Sequence, residues 1–403
     1  MAVAAAPEHV LVIGAGIGGL RTVEQLRSVG FERRISLVGA EPHPPYDRPP
    51  LSKQVLTGDW EAERAVLRTV EALEDLGARV HLGLRAVALR PGEIELSDGA
   101  SLHGDAIVLA TGLVARTLPG QPEHAHTLRT LDDAVALRTT LERVESLLVI
   151  GAGFIGSEVA CSATTRGIAD VTVLEALPAP SSRALGPEVG ALAGRLMSEA
   201  GVQLRTGVQI AGFVDAGKRV AVELADGERV EADAAVIGIG GVPRLDWLDG
   251  IDTSDGLACG PTGRVVGLDA VWAVGDIAAW TDPVFGDRRR FEHWTSAGDQ
   301  AAVVAREIAG VEPPPPSVPY FWSDQFGLKI QLLGRAERAS SVTALHGEGL
   351  DDGAVRGSVV GYFADERLVA VAGFGAARLV ARYRPLVAEQ ADRAAVLALA
   401  ATL

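Results

Sequence analysis

A chain of 403 residues is longer than the size at which one hydrophobic core stops growing, so it divides into domains and has room to bury a large cofactor. With 48% hydrophobic and 22% charged residues it lacks the composition of a disordered chain, and a net charge of −15 excludes a general nucleic-acid surface, which needs basic stripes to displace counterions. No apolar run reaches the length of a bilayer-spanning helix, residues Met1 to Val10 carry no basic leader, and the two cysteines are too far apart for a redox pair, which points to a cytoplasmic protein with no disulfide framework.

The first predicted unit is HVLVIGAGIGGLRTVEQLR from His9, a β-branched strand, a glycine turn and a helix with Leu20, Val23 and Leu26 on its apolar face. Gly14, Gly16 and Gly19 form the spacing that lets backbone N–H groups and a helix N-terminus approach a pyrophosphate. Glu41 follows the next strand, where an acid accepts hydrogen bonds from ribose hydroxyls. Beyond it, alternating residues around Pro91-Gly92 and Asp98-Gly99 predict antiparallel hairpins, closed by the ATG triplet Ala110, Thr111 and Gly112.

From Ser146 the unit repeats as SLLVIGAGFIGSEVACSATTRG, with glycines at Gly151, Gly153 and Gly156 and an acid at Glu175. A carboxylate at Glu175 pairs with a free ribose hydroxyl and repels a 2′-phosphate, which favours NADH over NADPH; Arg183 downstream is the residue able to meet a phosphate. Another antiparallel segment follows, then VWAVGD ending at Asp276. The run Pro313 to Pro316 predicts a stiff connector, and the strands and helical tail after it predict a small α+β domain. Two dinucleotide sites imply a tightly held flavin and an exchanging nicotinamide. The ATG triplet and VWAVGD resemble secondary FAD motifs of two-dinucleotide flavoproteins, which assigns FAD to the first unit, with Asp276 on the ribityl chain.

The stretch EPHPPYDRPPLSK, Glu41 to Lys53, resembles the FAD-binding signature of the ferredoxin reductases that serve ring-hydroxylating dioxygenases and bacterial cytochrome P450 systems. LRTLDDA at Leu128, VWAVGDIA at Val271, EHWTSAGDQAA at Glu292 and YFWSDQFGLKIQLLG at Tyr320 are similar to that family too. The resemblance implies an α/β, glutathione reductase-like fold: an FAD domain of residues 1–112 and 242–320, an inserted NAD domain of residues 113–241, and a C-terminal α+β interface domain of residues 321–403. It also implies that Lys53 lies near the hydride-accepting nitrogen of the flavin, that Arg48, Arg129 and Trp294 contact FAD, and that Ala86 meets its adenine side. By the same match Glu158 stands near the nicotinamide with Gly240 in the cofactor-binding set, and Trp322 lies against the flavin on the side away from NADH.

Residue chemistry sets a plainer reading beside each of these roles. Lys53 is one of three lysines in an arginine-rich chain, a compact point charge where a planar fork is otherwise used, and its ordinary alternative is a solvated loop lysine. Glu158 in a helical first turn would simply favour the dipole, and Trp322 would be a core aromatic. Cys161 and Cys259 read as small buried packing residues, and the histidines show no metal-ligand spacing, so no metal is expected. Segment Thr57 to Thr69 matches no family role.

The function implied is an FAD reductase that takes hydride from NADH and passes single electrons to a [2Fe-2S] ferredoxin feeding a terminal oxygenase. The alternatives are an NADH oxidase or disulfide reductase of the same architecture, although no cysteine pair is present, and a flavin-bound redox sensor of the apoptosis-inducing-factor type. For docking an acidic ferredoxin the basic candidates are Arg288, Arg289 and Arg290, and then Arg335, Arg338, Arg378, Arg382 and Arg384; a solvated charged face is the alternative.

Overall fold

The apolar run Val10–Ile13 is at most 2% exposed, the burial of a central strand covered on both faces. The computed structural model describes residues 7–403, so Met1–Ala6 of the opening stretch lie outside the described residues. His9–Ile13 is the middle strand of a five-stranded parallel sheet, ordered Val271–Ala273, Ala106–Leu109, His9–Ile13, Arg34–Gly39, Ala78–Leu82. Helix Ile17–Ser28 makes the first crossover and buries Leu20, Val23 and Leu26. An antiparallel sheet of Ala86–Arg90, Glu93–Leu96 and Ser101–His103 turns through Gly92 and Gly99, both left-handed at φ 70° and 86°. These elements belong to one compact unit, Met1–Asp47, Val66–Val114 and Val242–Pro319.

The other unit comprises Arg48–Ala65, Ala115–Gly241 and Tyr320–Leu403. Its parallel sheet runs Gln203–Arg205, Asp170–Leu174, Ser146–Ile150, Ala234–Ile237, Ala125–Thr127, with helix Phe154–Thr165 as the crossover after Ser146–Ile150. Strands Ile210–Val214, Val220–Leu224 and Arg229–Ala232 form its antiparallel insert. The same unit carries a five-stranded antiparallel sheet, Tyr320–Gln325, Leu328–Gly334, Arg367–Phe374, Val359–Ala364, Ser341–His346, followed by short helices.

The internal repeat extends to single hydrogen bonds. Gly14 N–H donates to Val38 O and Gly151 N–H to Leu174 O, each at 2.7 Å. Ala110 N–H donates to Ile13 O and Gly238 N–H to Ile150 O, again each at 2.7 Å. A carboxylate also recurs: Asp105 Oδ2 accepts the N–H groups of Glu8 and His9 at 2.9 and 3.0 Å, and Asp233 Oδ2 accepts those of Glu145 and Ser146 at 3.0 Å each. Both satisfy backbone donors at the open end of the first strand.

Burial pushes the Asp233 carboxyl up, but hydrogen bonds from Ser146 and the backbone, with Arg219 nearby, outweigh it and hold the group below its ordinary 3.8. Its stabilising contribution is therefore present above that value and lost as pH falls through the lower folded pKa. Asp233→Ala is expected to cost about 1 kcal/mol at neutral pH, the low end because the side chain is 35% exposed, with the gap to wild type closing in acid. Urea denaturation across pH measures it, and a gap that persists unchanged in acid contradicts the assignment.

Candidate functional site

In the first unit the glycine turn is shaped by backbone contact. Gly14 sits at φ 117°, and a Cβ there would lie 2.2 Å from Ala110 O; one at Gly19 would lie 1.8 Å from Gly14 O. Gly16 differs, because a Cβ there meets nothing within 4 Å. It is also the N-cap of helix Ile17–Ser28 and supplies no side-chain cap, so no capping side chain occupies the first-turn N–H groups. This open cradle fits a dinucleotide pyrophosphate.

Glu41 lies just past strand Arg34–Gly39 and accepts the Tyr46 hydroxyl at 2.5 Å. Thr111, exposed, and Gly112 follow strand Ala106–Leu109, and Asp276 sits in the turn Gly275–Ile277 just beyond Val271–Ala273. Gly14, Gly16, Gly19, Thr111, Gly112 and Asp276 thus gather past the carboxyl ends of parallel strands, where open α/β sheets bind ligands. Arg290 donates to Asp276 O at 2.6 Å, and Gln300 Oε1 receives Gly275 N–H at 2.7 Å, pinning that turn. Trp294 opens helix Trp294–Ala309, donates its indole N–H to Asp47 Oδ1 at 2.7 Å and has the Arg21 guanidinium 5.7 Å from its ring. Ala86 is buried at the start of its hairpin.

The second unit repeats the cradle. A Cβ at Gly156 would lie 1.9 Å from Gly151 O and one at Gly151 2.6 Å from Gly238 O, whereas Gly153, the uncapped N-cap of helix Phe154–Thr165, has 3.9 Å of room. Glu175 accepts Ala152 N–H at 2.6 Å and Leu177 N–H at 2.8 Å, one on each oxygen. The carboxylate is thereby fixed beside the glycine turn with lone pairs to spare for ribose hydroxyls. Arg183 is exposed in the first turn of helix Ser182–Glu199, and Gly240, at φ 95°, accepts Arg116 N–H at 2.9 Å.

Glu158 is the fifth residue of its helix, in the second turn, not the first, and is 3% exposed, so the simple dipole reading does not hold. Lys53 Nζ lies 2.6 Å from Glu158 Oε2 and donates to Pro49 O at 3.0 Å; with its side chain 15% exposed it is not a solvated loop lysine. Ser52 donates to Glu158 Oε2 at 2.5 Å, Ser323 donates to Oε1, and Gln325 Nε2 donates to Ser323 Oγ at 2.9 Å. Arg48 donates to Arg129 O, and Arg129 N–H to Asp133 Oδ2 at 2.9 Å. Strand Tyr320–Gln325 alternates, burying Phe321, Ser323 and Gln325 and leaving Tyr320, Trp322 and Asp324 partly exposed. Trp322 stacks on Tyr320 with centroids 6.1 Å apart and has Lys329 Nζ 5.5 Å from its ring, so it is not a core aromatic.

Ser52, Ser323 and Gln325 were not singled out from the sequence; the period-2 pattern of YFWSDQ is the one signal that places Ser323 and Gln325 together. Arg335 is 2% exposed and paired with Glu337, which removes it from the basic candidates for docking, while Arg338, Arg378, Arg382 and Arg384 are exposed. Cys259 is fully buried, its thiol pushed up to about 12 by burial. Cys161, in contrast, is only partly buried, accepts Phe326 N–H at 3.0 Å and lines a cavity of about 490 Å³ with Lys53, Gln54, Thr57, Asp59 and Gln325. Among the described residues no His, Cys, Asp and Glu cluster could hold a metal ion, and no helix is long and apolar enough to cross a membrane.

The family model for pyridine nucleotide-disulphide oxidoreductases matches residues 8–301, and that for the reductase C-terminal domain matches residues 320–402. Rhodocoxin reductase of Rhodococcus erythropolis is 35% identical over 95% of this chain and 91% of its own length. The ferredoxin reductase component of chlorobenzene dioxygenase from Cupriavidus sp. (strain PS12) is 39% identical over 82% of this chain and 81% of its own. The crystal structure of a covalent putidaredoxin reductase–putidaredoxin complex contains a chain that superposes with a TM-score of 0.90 at 29% identity, covering 98% of both chains.

Proposed function

We propose that this chain, which belongs to the pyridine nucleotide-disulphide oxidoreductase family, is an FAD-dependent ferredoxin–NAD(+) reductase that takes hydride from NADH and passes single electrons to a [2Fe-2S] ferredoxin serving an oxygenase. The observation that carries it is the pair of glycine cradles with the same hydrogen-bond geometry, each with an acid after its second strand. Bound FAD supplies the conversion between a two-electron hydride donor and a one-electron acceptor.

The protein's residues bind, orient and exclude. Gly14, Gly16, Gly19, Glu41, Thr111, Gly112 and Asp276 hold FAD, assisted by Ala86 and Trp294; Arg48, Lys53, Arg129 and Trp322 serve the flavin, and Lys53 keeps a positive charge there. Gly151, Gly153, Gly156, Glu175 and Gly240 hold NADH, with Glu158 near the nicotinamide and Arg183 on the nucleotide. Cys161 and Cys259 are far apart in sequence and form no Cys-x-x-Cys motif, so no redox-active cysteine pair supports disulfide exchange. We assign residues 1–112 and 242–320 to FAD, 113–241 to NADH and 321–403 to the interface with the ferredoxin, and place the reaction in the cytoplasm.

The decisive experiment is anaerobic stopped-flow mixing of the yellow holoprotein with NADH, followed by an oxidised [2Fe-2S] ferredoxin. Rapid bleaching of the flavin and its reoxidation by the ferredoxin are expected. A flavin that NADH reduces but only oxygen reoxidises supports the oxidase reading, and one that NADH barely reduces supports the sensor reading.

A further inference from the structure

We propose that Ser323 and Gln325, on the C-terminal sheet, are positioning residues that act in series on Glu158 and so fix the ammonium group of Lys53. The inference rests on the reading that Lys53 serves the flavin. Ser323 is fully buried and Gln325 is 1% exposed, yet neither belongs to a glycine cradle. The direction of the chain is set by donor count. A serine has one proton, and Ser323 gives it to Glu158 Oε1, so its oxygen is left to accept. Gln325 therefore turns its Nε2 to Ser323, at 2.9 Å, and its Oε1 remains buried without a protein partner.

That orphan oxygen is the cost of the arrangement, since turning the amide over would set Oε1 against the oxygen of Ser323, acceptor against acceptor, and satisfy neither. Glu158 consequently has one oxygen shared by Lys53 and Ser52 and the other tied to the C-terminal sheet. A carboxylate held at both oxygens has one orientation, and Lys53 Nζ is drawn to a defined point between Glu158 and Pro49 O. Without Ser323 the carboxylate is free to rotate, and Lys53 becomes mobile.

Lys53, Lys218 and Lys329 are the only lysines in the chain, so modification of the full-length holoprotein by acetic anhydride, read by mass spectrometry, reports Lys53 against Lys329 as an internal reference. Relative to wild type, Ser323→Ala should raise the Lys53 to Lys329 ratio about 3-fold to 10-fold and Gln325→Leu about 2-fold, with the double variant no higher than Ser323→Ala because Gln325 works through Ser323. The thermal midpoint of each variant separates this from general loosening, which raises labelling at Lys329 as well. An unchanged ratio in Ser323→Ala, or fully additive effects in the double variant, overturns the proposal; if Ser323→Ala does not fold, an unchanged ratio in Gln325→Leu does so. If the ratio moves as expected while the flavin absorption band and its rate of reduction by NADH do not, the positioning chain stands and the assignment of Lys53 to the flavin falls.

Discussion

Replacing Glu158 by alanine is expected to lower stability by about 3–5 kcal/mol and to remove rapid flavin reduction by NADH. The size follows from burial. The Lys53 and Glu158 side chains are 15% and 4% exposed, so the variant leaves an ammonium group inside the protein with only Pro49 O as partner, strands the hydroxyl proton of Ser323 and leaves that of Ser52 only a long contact to Pro49 O at 3.5 Å. A surface pair such as Arg90 and Glu93, whose side chains are 54% and 24% exposed, contributes little by comparison, because water screens it. Lys53→Met should cost less, because Glu158 keeps two hydroxyl donors. The double variant Lys53→Met, Glu158→Leu removes both charges and should recover most of the stability, since two apolar side chains need no partners. It should not recover flavin reduction. Urea midpoints at saturating FAD, with unchanged slope, give the energies, and stopped-flow reduction gives the function. A double variant that regains both leaves the ion pair with no electrostatic part in catalysis.

What the sequence made legible is what backbone geometry forces. Gly14 at φ 117° and Gly19, whose Cβ would overlap a carbonyl, admit no other residue, so their spacing survives in one dimension. The lengths of strand and helix between each glycine turn and its acid are set by the same close packing, which made Glu41 and Glu175 readable too. The carboxylate clamps of Asp105 and Asp233 become visible only once the two units are superposed, because a lone aspartate before a strand has no signature. Ser52 and Ser323 were out of reach for a different reason: they meet Glu158 across 106 and 165 residues, and a hydroxyl that satisfies a buried carboxylate leaves no period in the sequence. Arg335 misled because arginine is ordinarily a surface residue; here it follows the left-handed Gly334 into the interior, where Glu337 neutralises it. Thr57 and Asp59, which matched no family role, line the cavity beside Lys53.

The two glycines Gly153 and Gly156 are expected to fail in different ways when each is changed to alanine, and the contrast tests how the second cradle works. At Gly156 the new methyl would lie 1.9 Å from Gly151 O, backbone against backbone, so relief requires helix Phe154–Thr165 to shift away from the glycine turn. That helix carries Glu158, and the shift draws the carboxylate from Lys53 and Ser323. Gly156→Ala should therefore lose thermal stability and slow NADH reduction of the flavin at least about a hundredfold, equivalent to roughly 2.7 kcal/mol. At Gly153 the methyl has 3.9 Å of room to Gly238 O, so the protein alone accommodates it. Gly153→Ala should keep the wild-type melting temperature and instead weaken NADH binding, because the methyl intrudes where a pyrophosphate approaches the helix N-terminus. Both variants should retain FAD, since Gly14, Gly16 and Gly19 lie in the other unit, and both should still pass electrons to ferredoxin once dithionite has reduced the flavin. Differential scanning fluorimetry and stopped-flow titration with NADH separate the two outcomes. A Gly153→Ala protein with wild-type NADH affinity, or a Gly156→Ala protein with wild-type reduction rates, removes this turn from the NADH site.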